Sequence, residues 1–498
     1  MAKDSKSNQP SDAKPSESST KEVAWWNDVL KRAVQSPVFD SRRQIFTNRT
    51  LRFDKIKAVG FDFDHTLAVY NCEALDAVAM RLVIERLRAD GFSEDFEKEI
   101  PDPDFACKGL IVDTKLGTVL KVDRFGHVLR AFRGKNPLPR DERRVAYGDM
   151  NVIPMETDGE RFRPMDTAFA KPDILIFSAL SAVRLDEDCT PLWKKVREHT
   201  DMVHRDGSLK KIIMKSPLDF LNPDLEVLPM LQQLRASGKK VFLLTNSEWE
   251  YTRAMVNPAF GLGDDPSDLG WVDLFDFVVC HARKPRYFDP TGATAEKAIP
   301  EDHRILVGGC IRDIEAHLGY SGPEVLYVGD HIYADLITSK LSQNWRTMLI
   351  ISELEEEIDA QAGLPGIARQ INDADLARLK AESMLHHWEG LAKTLESAPD
   401  DRLIERAKAD IARLIRQEKH DLRHHIDQRE KLRDRMSRAT NRFWGSHFRA
   451  SNELTFYGRQ IEDYGCIYSS RAANLGVYPP DHYFRSPMDY LPHELATI

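Results

Sequence analysis

No run of about 18 uncharged apolar residues occurs in the 498-residue chain, which excludes a transmembrane helix. The opening stretch, MAKDSKSNQPSDAKPSESST, has no apolar centre and does not read as a secretory signal. Cysteine is sparse: Cys72, Cys107, Cys189, Cys280, Cys310 and Cys466 lie far apart, with no Cys-x-x-Cys. That spacing argues against a disulfide framework or a thiolate zinc site and points to reduced thiols in the cytoplasm. Basic charge is not in excess. Lys and Arg total 70 against 79 Asp and Glu, a net charge of −9. Lys194-Lys195, Lys210-Lys211 and Lys239-Lys240 are isolated pairs and form no stripe, so a nucleic-acid partner is not expected. Internal repeats are lacking too.

Hydrophobic residues make up 42% of the chain, enough to bury a core, and its length suggests about two to four domains. Residues 1–22 are Ser, Lys, Asp and Pro with little to bury, and read as a flexible tail before the apolar cluster at Trp25 and Trp26. Short apolar runs follow at 56–63 (IKAVGFDF), 240–246 (KVFLLTN), 277–280 (FVVC), 325–329 (VLYVG) and 347–351 (TMLII). Continuous Val, Ile, Leu and Phe without alternation is how strands covered on both faces read. Helical patterns at 225–237 and 334–343 flank them. The alternation predicts an α/β fold: a doubly wound parallel sheet of at least five strands.

The chain runs 183 positions from Asp62 to Thr245, against 39 from Thr245 to Lys284 and 46 from Lys284 to Asp330. The first gap is too long for one crossover, so a mixed α/β cap is expected at 72–227, between core segments 23–71 and 228–352. Its segment 116–132 (LGTVLKVDRFGHVLRAF) reads as a hairpin. Beyond 352 the pattern turns to long charged helices, with an apolar stripe over 403–436 suited to packing on the core or on a partner subunit. His386-His387 and His424-His425 on these helices read as solvated or interface residues. The aromatic-rich segment 443–490 is expected to be packed.

Ligands of such sheets sit at the carboxyl ends of the strands. Asp62 and Asp64, Thr245 and Asn246, and Asp330 all fall there. In a regular strand, residues two apart point the same way only while the strand continues; beyond its end a loop can turn both carboxylates into one pocket. The alternative reading of Asp62 and Asp64 is a strand-terminal Asx turn.

Four motifs stand in order: Asp62-Phe63-Asp64-His65-Thr66, Thr245-Asn246-Ser247, Lys284 in Ala282-Arg283-Lys284-Pro285, and Gly329-Asp330-His331-Ile332-Tyr333-Ala334-Asp335. The set resembles the haloacid dehalogenase superfamily of aspartate-nucleophile phosphotransferases. The resemblance implies that Asp62 attacks phosphorus and that Asp64 is the general acid and base. It implies Mg²⁺ held by Asp62, the backbone carbonyl of Asp64 and Asp330, all hard oxygen donors. Lys284 would neutralise Asp62 and the phosphoryl group, with Thr245, Asn246 and Ser247 on its oxygens. Asp335 would anchor Lys284 or metal-bound water.

Longer stretches narrow the match. Lys55 to Tyr70, Leu120-Lys121-Val122-Asp123, Thr245 to Thr252, Trp345-Arg346-Thr347, Gly445-Ser446-His447-Phe448-Arg449 and Leu491-Pro492-His493-Glu494 are similar to the cytosolic purine 5′-nucleotidase type II family. That resemblance implies hydrolysis of purine nucleoside 5′-monophosphates, IMP and GMP before AMP, in a homo-oligomer with a nucleotide effector. It puts Arg197, Asp201, His204 and Lys210 at the nucleotide. Arg is a natural donor to purine O6 and N7, and Asp201 could accept from the N1–H of a 6-oxo base. The chain departs from the family at His65, where the family has Tyr, and near Ser181, where the base-stacking aromatic is expected. It also ends without an acidic run. A nucleoside phosphotransferase, a phosphatase for another metabolite and a non-catalytic nucleotide sensor are the competing readings.

Overall fold

The computed structural model describes residues 40–154, 160–184, 188–295, 297–299, 302–399, 401–450 and 452–488. The expected tail at 1–22, Trp25, Trp26 and the motif at 491–494 lie outside them. In chain order, β1 (Phe46–Thr47) and β2 (Ala58–Phe61) come first. An inserted module follows: α1 (Cys72–Ala89), β3 (Ile111–Asp113), β4 (Thr118–Val122), β5 (Val128–Arg133), β6 (Asn136–Pro137), β7 (Phe162–Pro164), α2 (Lys171–Val183), α3 (Thr190–Arg205) and α4 (Ser208–Lys215). The sheet then resumes with α5 (Val227–Ala236), β8 (Lys240–Leu244), α6 (Trp249–Phe260), β9 (Phe277–Cys280), β10 (Lys297–Ile299), β11 (Asp302–Val307), α7 (Ile311–Leu318), β12 (Val325–Gly329), α8 (Thr338–Gln343) and β13 (Arg346–Ile350). Last come α9 (Leu354–Ala362), α10 (Ile367–Leu395), α11 (Arg402–Thr440), α12 (Phe456–Tyr464) and β14 (Ile467–Ser469).

The central sheet has nine strands in the order β1-β14-β13-β12-β2-β8-β9-β11-β10. Pairing is parallel from β14 through to β11, and only the outermost strands β1 and β10 run antiparallel. Alternate strand residues divide between two cores. Val59, Phe61, Val241, Leu243, Val278 and Val328 enter one, with side chains of α1, α5 and α6. Ala58, Phe242, Leu244, Val279 and Tyr327 enter the other, with Ile311, Ile314 and Leu318 of α7. Burial on both faces is why these strands read as unbroken apolar runs.

The sheet is wider than five strands. In β11 the first half, Asp302-His303-Arg304, is polar, and β14 is three residues long inside the aromatic segment, so neither carries an apolar run. The helix expected at 334–343 is a π-helical turn over Ile332–Ile337 that passes into α8. Such turns are short and recur at functional sites.

Within the inserted module a second sheet, entirely antiparallel, runs β6-β5-β4-β3-β7. Helices α10 and α11 pair as an antiparallel hairpin: Lys419 meets Glu389 at 2.9 Å, and Arg433 meets Asp375 at 3.4 Å. Of the α11 stripe only Ile411 is buried, and Leu403 is exposed.

Candidate active site

Strands β12, β2, β8 and β9 are consecutive neighbours in the sheet. Asp330 directly follows β12, Asp62 follows β2 and Thr245 follows β8, while Lys284 lies four residues beyond β9. Parallel pairing therefore aligns all four motifs along one rim of the sheet.

At the centre is Lys284, buried on all sides. Its Nζ lies 2.8 Å from Asp62 Oδ1 and 2.7 Å from Asp335 Oδ1, and donates to the Tyr327 hydroxyl at 2.9 Å. Burial works against the ammonium, but Asp335 and Asp62 outweigh it and hold its pKa well above the ordinary lysine value. Burial pushes the Asp62 carboxyl up, and Lys284 opposes that rise. Asn246 fixes the lysine from its backbone side, accepting from Lys284 N at 2.6 Å and donating to Lys284 O at 3.2 Å. Thr245 is buried, and its Oγ1 accepts from Ser247 N at 3.0 Å.

Asp62, Asp330 and Asp335 each offer a carboxylate oxygen, and these oxygens lie within 4.8 Å of one another. Both oxygens of Asp335 are engaged: Oδ1 by Lys284, Oδ2 by His331 N at 3.1 Å. Asp330 differs, since its buried Oδ2 has no hydrogen-bond partner. Burial pushes Asp330 up to about 6, with Lys108 pulling it back. A buried carboxylate oxygen without a partner beside other acids suits a hard divalent cation.

Asp64 turns its carboxylate away from this cluster. Tyr70 donates to its Oδ1 at 2.6 Å and Ser247 to its Oδ2 at 2.7 Å. The turn is made at His65, which holds a left-handed φ of 57°. Burial keeps Tyr70 protonated, its pKa well above the usual value.

One cavity of about 460 Å³ joins the rim that carries the four motifs to the inserted module. Asp64, Asn246, Ser247, Glu248 and Tyr251 line its core side, and Asp201, His204 and Lys210 its far side. Lys210 pairs with Glu248 and sits 5.2 Å from the centre of the Tyr251 ring. Burial, with Lys210 and Arg197 nearby, lowers the His204 pKa, so its imidazole is neutral. Arg197 lines an adjoining cavity of about 570 Å³ that shares Asp201. Its guanidinium is held between buried Asp173 and Asp201, the latter at 2.6 Å.

Ser181 is not at this cavity. It is fully buried, and its hydroxyl donates to Ser178 O at 3.0 Å. Besides Tyr70 and Tyr251 the cavity is lined by Phe169, 38% exposed, edge-on to His65 at 4.7 Å and to His204 at 5.9 Å. Sequence reasoning also missed Tyr70, Tyr251, Tyr327 and Asp173. Tyr70 closes the stretch Lys55 to Tyr70 and Tyr251 lies within Thr245 to Thr252, so both could have been singled out there; Tyr327 and Asp173 carry no local signal.

A lysine and three buried acids on neighbouring strand ends, opening beside a polar cavity, define an α/β enzyme. The sequence profile of the 5′ nucleotidase family matches residues 45–496, and the chain belongs to that family. It is accordingly a 5′-nucleotidase, in agreement with the resemblance read from the motifs. It is similar to a 5′-nucleotidase domain-containing protein of Dictyostelium discoideum, 26% identical over 480 residues, covering 92% of this chain and 76% of that one. It is also similar to 5′-nucleotidase domain-containing protein 2 of Rattus norvegicus, 27% identical over 488 residues, covering 90% of this chain and 80% of that one. Among the described residues no helix is long and apolar enough to cross a membrane.

Proposed function

We propose that the protein hydrolyses purine nucleoside 5′-monophosphates, IMP and GMP before AMP, through a phosphate carried on Asp62. The observation that carries this reading is the cavity linking Asp64, Asn246 and Ser247 to Asp201, His204 and Lys210. It joins groups suited to a phosphoryl transfer to groups suited to a nucleoside.

Asp62 Oδ attacks phosphorus and the P–O5′ bond breaks. Asp64 protonates the leaving O5′, as a poor alkoxide leaving group requires. In the second half, Asp64 takes a proton from water, water oxygen bonds to phosphorus, and the Asp62–phosphorus bond breaks to release inorganic phosphate. Lys284 offsets negative charge on Asp62 and on the phosphoryl oxygens, which Thr245, Asn246 and Ser247 border. Asp62, Asp330 and the Asp64 carbonyl would hold Mg²⁺, with Asp335 behind them holding Lys284. When bound, the ion relieves the repulsion between a carboxylate nucleophile and a phosphate dianion.

Phe169 offers the face for the purine, and neutral His204 a partner for a ribose hydroxyl. Arg197 occupies Asp201 Oδ1, and Oδ2 would accept from N1–H of a 6-oxo purine, a hydrogen that adenine lacks. Inserted module and core enclose the substrate, so the module acts as a cap that limits water.

The test is phosphate release with Mg²⁺ from IMP, GMP, AMP, a pyrimidine monophosphate and a sugar phosphate. IMP and GMP are expected to exceed AMP about tenfold or more. Chelation by EDTA should stop release, and Asp62→Asn should lower kcat by roughly 10⁴-fold or more, as loss of a covalent nucleophile does. Release from the sugar phosphate alone would keep the chemistry and sink the nucleotidase reading.

A further inference from the structure

We propose that Tyr70 is a positioning residue that ties the orientation of Asp64 to the hinge of the inserted module; this rests on the reading of Asp64 as the general acid. The chain leaves the central sheet and returns to it at one crossing. Asn71 N donates to Phe220 O at 2.8 Å, Asn222 N donates to Val69 O at 2.8 Å, and Tyr70 bridges Leu221 in antiparallel fashion. Any movement of the module against the core bends the chain at these residues. Tyr70 is therefore the hinge residue, and its hydroxyl is also the 2.6 Å donor to Asp64 Oδ1.

The two oxygens of Asp64 are tied to different bodies. Oδ1 is held by the hinge through Tyr70, and Oδ2 by the core loop after β8 through Ser247 at 2.7 Å. A shift at the hinge moves one anchor and leaves the other, which turns the carboxyl group. Tyr251, on core helix α6, stands 3.0 Å from the Tyr70 hydroxyl. The Tyr70 O–H donates to Asp64 Oδ1 while its oxygen can accept from the Tyr251 hydroxyl, so the two tyrosines form a chain that fixes where the Asp64 carboxylate points. The Lys210 ammonium over the Tyr251 ring extends the line to the module's own helix α4.

Tyr70→Phe keeps the ring and the hinge backbone and removes only the hydroxyl. The comparison is kcat/KM for IMP against kcat/KM for p-nitrophenyl phosphate, with Mg²⁺ and the full chain. The nucleoside leaving oxygen needs a proton and p-nitrophenolate does not. The variant is expected to lose about tenfold or more on IMP and less than about threefold on p-nitrophenyl phosphate. Equal losses on both would mean that Tyr70 only shapes the site, and no loss on IMP would mean that its hydroxyl has no part; either overturns the proposal. If Tyr70→Phe melts early, Tyr251→Phe, which leaves the hinge intact, carries the same comparison, with a smaller IMP-selective loss expected. A wild type that cleaves p-nitrophenyl phosphate and a sugar phosphate but no nucleoside monophosphate overturns the nucleotide reading alone, and the comparison then runs on that sugar phosphate. A wild type inactive on every ester overturns both.

Discussion

Gly329 precedes Asp330 at the end of β12, and an added Cβ there would lie 2.5 Å from Asp335 Oδ2 and 2.6 Å from Asp335 Cγ. The glycine is required by close approach, not by its backbone angle. Gly329→Ala would push the Asp335 carboxylate off Lys284, leaving the ammonium with Asp62 as its one carboxylate. On the proposed reading of Asp62 as nucleophile, a lysine drawn closer to it would tie up the attacking oxygen. Displacement of this order costs roughly 10²-fold in rate. The expected outcome is a kcat lowered by about that factor, with KM for the nucleotide nearly unchanged, read by steady-state kinetics. Lys284 itself shows why the site is built in this way. A buried ammonium is costly alone and tolerable only because two carboxylates and a phenol surround it.

Helix α1 begins the inserted module with Asn71 as its cap, whose side chain accepts from Ala74 N at 3.2 Å. One turn in, Asp76 is largely buried and 3.8 Å from Lys171 of α2. Burial pushes its pKa from 3.8 up to about 6, with Lys171 opposing. The folded state thus binds this proton more tightly than the unfolded chain. Stability from the group is full below pH 3.8 and is lost as pH rises through about 6. Asp76→Asn removes that slope. By urea unfolding, the variant should gain about 3 kcal/mol on the wild type at pH 7.5 and little at pH 4. Equal differences at both pH values would place the Asp76 pKa near its ordinary value.

At the scale of the whole molecule, the last described segment closes both sheets. Strand β14 pairs with β13 and β1 in the central sheet. Trp444 is buried against Phe105 and Phe132 of the inserted module, and its indole donates to Phe105 O at 2.6 Å. Lys121 of β4 returns two bonds of 2.6 Å, to Trp444 O and Ser446 O. Loss of a buried Trp alone costs about 3–5 kcal/mol, much of a domain's net stability. A chain ending at Thr440 is therefore expected to lack a cooperative thermal transition by circular dichroism. A truncated protein that melts sharply and stays active would mean that the segment is an appendage.

What the sequence determined by itself is local: apolar runs covered on both faces, and the candidate site residues at their carboxyl ends. Asp62, Thr245 and Asp330 were legible because each directly follows a buried strand, and Lys284 because its motif stands in order with theirs. The long gap after Asp62 likewise announced inserted chain, and the 116–132 hairpin was written in its alternating turns and apolar residues. Tertiary structure decided everything that depends on contacts across the chain. It placed β11 and β14 in the sheet, where pairing partners rescue strands too polar or too short to stand out. It turned Asp64 towards Tyr70 and Ser247, set Phe169 in the cavity instead of Ser181, and engaged Arg197 with Asp173. The physical reason is common to all of these. Secondary structure follows from backbone geometry and the side chains of near neighbours, whereas a hydrogen bond between residues such as Asp64 and Ser247, 183 positions apart, forms only after the strands between them have been brought into register.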